Sequence, residues 1–148
     1  MKPKKTIKNQ KGAAIVEFAI VLPLLLLLFI GICEFGILWY NSQIIVNASR
    51  EGARAGITRK ADASDTTTSA GIQWIVDTYC TNRLITFGGG SVPITDFPLG
   101  NNMGKSFGQD FSVRVRFTYN FLVPSLFGLG LTKTLTGLTL MKMEMVVS

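Results

Sequence analysis

The sequence predicts an α+β protein: a long N-terminal transmembrane α-helix that continues outside the membrane, followed by a short helix and a small antiparallel β-sheet. Three observations predict it. Residues 18–38 form an apolar run with a single charge. Apolar and small residues recur at helical spacing well beyond that run, and residues 111–121 alternate at the period of a strand. Composition agrees: apolar residues make up 47% of the 148 and charged residues 16%, against roughly 25% charged in an average soluble domain. This shortage of charge argues against intrinsic disorder and against an ordinary cytosolic enzyme.

The run FAIVLPLLLLLFIGICEFGIL, Phe18 to Leu38, has 21 residues. A helix rising about 1.5 Å per residue crosses a hydrocarbon core of roughly 30 Å with about 20. Trp39 and Tyr40 follow it, as an aromatic pair at the far interface should. Lys2, Lys4, Lys5, Lys8 and Lys11 all precede the first acid, Glu17, and they account for most of the net charge of +6. Basic residues confined to a tail form a topological signal; a nucleic-acid-binding face would need them arrayed over the folded body. The positive-inside tendency therefore puts residues 1–12 in the cytoplasm and everything after about Tyr40 outside. A cleaved secretory signal would need a shorter apolar stretch and a small-x-small site, which does not follow Leu38. A lipoprotein signal would need a small residue before Cys33, where Ile32 stands. A plain single-pass anchor fits but leaves Glu17 unexplained.

Glu17 sits at the inner end of the run, where a lone carboxylate in lipid costs up to about 2–3 kcal/mol, less toward the headgroups. One reading is that it reaches the cytoplasmic headgroups. The other gives it a partner. A cut between Gly12 and Ala13 would create an α-amino cation four residues before it, and positions i and i+4 share a helix face. The same pair could form between neighbouring subunits, so that the charge is costly until a neighbour supplies its counterion.

These residues carry a family resemblance. Lys11-Gly12 followed by Ala13-Ala14-Ile15-Val16-Glu17-Phe18 resembles a type IV prepilin-like signal. More narrowly, GAAIVEFAIVLPLLLLLFIGICEFG followed by NASREGARAGI is similar to the TadE-like pseudopilins of the tight-adherence (Flp) pilus system. Glu17-Phe18, Leu22-Pro23, Glu34-Phe35-Gly36 and Arg50-Glu51-Gly52-Ala53-Arg54-Ala55 stand in order at matching spacing. The resemblance covers about residues 11–57. It implies a minor pilin-like subunit of the bacterial inner membrane, cut after Gly12 by a prepilin peptidase that reads Glu17 and Phe18, with other pilin-like subunits and the pilus assembly platform as partners. Many type IV pilins begin their mature chain with an N-methylated Phe; here Ala13 would come first.

Past the membrane, Ile44, Ile45, Ala48, Gly52, Ala55 and Gly56 recur at three- and four-residue intervals. Ala48, Gly52 and Gly56 form a smooth stripe that would admit another helix, or the chain's own sheet. Arg50, Glu51 and Arg54 fall on the other side. A helix from Ala13 to about Thr58 would be about 69 Å long, bent at Pro23. The expected organisation is a basic leader over 1–12, a transmembrane helix over 13–40, its continuation over 41–58, and a small extracytoplasmic α+β domain over 59–148. Residues 59–70 read as a polar linker. GIQWIVDTYCTNRL reads as a short amphipathic helix with Ile72, Ile75, Val76 and Tyr79 on one face and Asp65 or Ser69 as N-cap. Phe87 to Lys105 reads as a loop with one short strand. In FSVRVRFTYNF, Phe111, Val113, Val115, Phe117, Tyr119 and Phe121 point one way and Ser112, Arg114, Arg116, Thr118 and Asn120 the other. VPSLFGLG reads as the turn. The final segment alternates with a phase change near Gly137 that a bulge would explain.

No catalytic grouping is expected. The chain has no His, which removes the commonest general base and metal ligand. No cofactor, nucleic acid or small-molecule substrate is expected either. Gly100 to Ser106 imitates a phosphate loop but has three residues, not four, between its glycines. Cys33 is expected as an apolar filler and Cys80 as buried, too far apart for a disulfide. The alternative to a pilin-like subunit is an uncleaved single-pass protein whose outer domain binds an envelope partner.

Overall fold

The computed structural model describes residues 10–57, 69–87, 92–99 and 108–142. Most of the basic leader and of the 59–70 linker, the Asp65 cap, the Gly100–Ser106 segment and the chain after Lys142 lie outside the described residues. The element order is α1 (Gln10–Ile57), α2 (Ser69–Thr81), β1 (Ile94–Asp96), β2 (Asp110–Asn120), α3 (Leu122–Leu126) and β3 (Thr132–Lys142). The three strands form one antiparallel sheet in the order β1-β2-β3. This is the α+β arrangement expected, with one long apolar helix in front.

α1 has 48 residues and contains Pro23, which makes it about 72 Å long. Its two halves differ. In the first, Ile15, Phe18, Ile20, Leu24, Leu28, Phe29 and Ile32 are all exposed. A helix apolar on every side must be covered by lipid or by other helices. In the second, Ile44, Ile45, Ala48 and Ala53 are buried while Arg50, Glu51 and Arg54 are exposed. That half is amphipathic, and it is the central rod of the α+β domain. One core joins it to Ile72, Val76 and Cys80 of α2, to Phe111, Val113, Val115, Phe117 and Tyr119 of β2, and to Leu135 of β3.

α2 turns Ile72, Val76 and Cys80 inward at i, i+4 and i+8, with Ile75 and Tyr79 half-buried beside them. Ser69 is its first helical residue. Cys80 is buried as expected, and Cys33 and Cys80 are both free thiols. The β2 alternation holds, with two exceptions. Phe121 lies outside the strand, preceding α3. Ser112, on the outward side, is buried because its hydroxyl accepts the Leu99 N–H at 3.1 Å.

Two local expectations are corrected. The turn after β2 contains the short helix α3, and Gly128 (φ 73°) takes the left-handed turn just after it. There is no bulge at Gly137: β2 and β3 pair without a break from Asp110–Lys142 to Asn120–Thr132. The apparent phase change has another cause. The inward positions of β3 after Leu135 are Gly137 and Thr139, while Leu138 and Leu140 face outward and exposed. Gly137 is small because α1 lies against it; a Cβ there would sit 2.5 Å from the Ile45 carbonyl oxygen. Thr139 is polar because its hydroxyl meets that of Ser49 at 2.7 Å.

Candidate functional site

The residues expected to be read and cut lie in the first turns of α1. Gly12 and Ala13 are exposed, as are Glu17 and Phe18. A Cβ at Gly12 would meet nothing within 4 Å, so the fold itself does not require glycine there. Ala13 and Glu17 are one helical turn apart on the same face, about 6 Å along the axis. Among the described residues no salt bridge involves Glu17.

The small-residue stripe lies elsewhere and is covered. Ala48 is fully buried. A Cβ at Gly52 would approach the Val76 side chain to 2.9 Å, and one at Gly56 would reach the Phe111 ring at 2.2 Å. Of the two surfaces the stripe could admit, the structure places it on the chain's own α2 and β2.

Besides Ser49, sequence reasoning missed two further polar residues on α1 that tie the α+β domain to it. Glu34 is 5% exposed, and its carboxylate accepts the backbone N–H of Leu122 and, at 3.2 Å, that of Val123. α3 has no side-chain cap of its own at Phe121; Glu34 supplies one from the neighbouring helix, in the manner of an N-cap carboxylate. The available signal was that Glu34 is the one charge inside the apolar run, deeper than Glu17. Its partner lies 88 residues away, where no spacing rule reaches. Asn41, fully buried, donates from Nδ2 to the Ile85 carbonyl at 2.7 Å and accepts the Ile85 N–H at Oδ1 at 3.0 Å. It thereby imitates a strand neighbour for the segment leaving α2.

Outside α1, Asp96 lies 3.3 Å from Arg116 and 3.6 Å from Arg114 across β1 and β2. These groups are partly solvated, so the cluster adds little stability. Burial raises the carboxyl of Asp77 above its usual range. It also pushes the Cys80 thiol up to about 11, with the Asp77 charge adding to the rise and Arg83 opposing it. Among the described residues no group of three or more His, Cys, Asp and Glu could hold a metal.

No curated protein and no solved structure matches the chain. Residues 12–54, from the glycine before the expected cut to the last arginine of the REGAR motif, match the family described as TadE-like protein, so the long helix, less than half of the chain, is similar to that family.

Proposed function

We propose that the chain is a minor pilin-like, TadE-like membrane subunit acting in Flp (tight-adherence) pilus biogenesis or the related secretion system. In this reading residues 1–12 are a cytoplasmic leader, α1 crosses the bacterial inner membrane once, and the α+β domain lies outside the cytoplasm. A prepilin peptidase cuts between Gly12 and Ala13. The new α-amino group then lies one turn below Glu17. It neutralises that carboxylate within the subunit or in a neighbour, which favours packing of helices in lipid or in a filament. The other pilin-like subunits and the assembly platform are the partners.

The observation that carries this reading is the family match over 12–54, which begins at Gly12 and contains Glu17-Phe18 on an exposed, apolar helix end. Intact-protein mass of the chain from membranes containing the peptidase tests it. A product beginning at Ala13 is expected; full-length chain supports the uncleaved anchor instead. Gly12→Leu is expected to block cutting with the fold retained, because the space at Gly12 is open. Glu17→Ala is expected to stay membrane-anchored but fail to assemble. Normal assembly of Glu17→Ala would remove the charge-pair mechanism.

A further inference from the structure

The connection between β2 and β3 reaches far down α1. From Phe117 to Thr132 the chain has no acidic or basic residue. At its centre Val123, Leu126 and Phe127 face Pro23, Leu26, Leu27 and Ile30 of α1 across an apolar groove of about 220 Å³. Those four α1 residues lie in the middle of the apolar run, with Leu26 about 18 Å below Leu38 along the helix. A bilayer surface drawn beneath this contact would leave only residues 12–22 of the helix inside, about 16 Å for a core of about 30 Å. The helix therefore crosses a bilayer only if the connection enters with it.

The side chains suit that position, and much of the backbone is satisfied within the connection. Leu126, Phe127, Leu129 and Leu131 are each more than half exposed, the pattern of a surface meant for an apolar medium. At membrane depth irregular backbone is costly wherever its polar groups open onto lipid, so packing against α1 and hydrogen bonds within the connection both count. Here the N–H groups of Leu122 and Val123 donate to Glu34. Those of Phe127, Gly128 and Leu129 donate to the carbonyls of Pro124 and Ser125, and the Phe121 N–H donates to the Leu131 carbonyl. Pro124 has no N–H to satisfy, and the Ser125 hydroxyl donates to the Phe121 carbonyl.

We propose that residues 121–131 form a re-entrant wedge seated among the lipid acyl chains of the leaflet on the domain's side, beside the spanning helix, with Glu34 as its cap within the membrane. The proposal goes beyond the pilus reading and requires only that α1 span a bilayer. The test uses full-length protein in nanodiscs of phosphatidylethanolamine and phosphatidylglycerol. Cys33→Ala removes the exposed thiol, Cys80 being buried, and single cysteines are then introduced by Leu129→Cys, Leu28→Cys or Thr136→Cys. A membrane-impermeant maleimide is expected to label Thr136→Cys, and to label Leu129→Cys and Leu28→Cys only after denaturation in SDS. A nitroxide at position 129 is expected to be relaxed more by oxygen than by a water-soluble nickel chelate. Labelling at 129 as fast as at 136, with Leu28→Cys protected, overturns the wedge and leaves the spanning helix standing. Labelling at all three positions overturns the spanning helix as well. Weak relaxation by both agents means that protein, not lipid, covers the tip, and also overturns the proposal.

Discussion

Gly137 sits where the sheet meets α1 with no side chain between them. A methyl group there would stand 2.5 Å from the Ile45 carbonyl oxygen and 2.9 Å from the Val46 Cα, both backbone atoms of a helix held in place along its length. Gly137→Ala is therefore expected to cost about 1–3 kcal/mol, as other overpacked cores do, read as a lower denaturation midpoint in micelles. Gly36→Ala, where a Cβ meets nothing within 4 Å, is expected to cost nothing. Cys80 gives a pH-dependent prediction. In the unfolded chain its thiol ionises near 9.0, and in the folded chain near 11 because burial disfavours the thiolate. Between those values the folded state holds the proton that the unfolded state has lost, so stability falls as pH rises from about 9 to about 11. Tyr119, raised by burial and by the Glu34 charge, adds to the fall above its ordinary value of 10.0. The denaturation midpoint of the wild type should drop across this window, and that of Cys80→Ala should drop less.

At the scale of elements, α3 shows how far a short helix depends on its surroundings. Five residues are too few to hold a helix alone in water, and this one begins without a cap in its own sequence. Glu34→Ala leaves the Leu122 and Val123 N–H groups without their acceptor, and each such loss costs about 1–3 kcal/mol when buried. We expect faster amide hydrogen exchange at those two residues and a lower denaturation midpoint, with Glu34→Gln intermediate because it keeps one acceptor oxygen. The same dependence explains what could be read from the sequence. α1, α2 and β2 announce themselves through their own periodicity, since each turns a regular face to the core. α3 and the Asn41–Ile85 pair have no such signature, because what holds them is a side chain on a distant helix. β3 was legible as a strand but misread at Gly137, because contact with α1 sets its inward residues where hydrophobic burial usually does.

At the scale of the whole molecule, the family resemblance was legible because its motifs stand in consecutive residues, and the family match over 12–54 covers them, Gly12 and Glu17 included. Where Ala48, Gly52 and Gly56 pack was not legible: a smooth stripe looks the same whether it meets a foreign helix or the chain's own α2 and β2. The α+β domain grips α1 at Glu34, Asn41, Ile45, Ser49 and Gly56, more than six helical turns on a rod that also carries the apolar run. No linker separates anchor from payload. A pull or a twist applied to the domain passes undiluted into the lipid-facing half, and Pro23, at the lower end of the contact with the β2–β3 connection, is where the rod can yield.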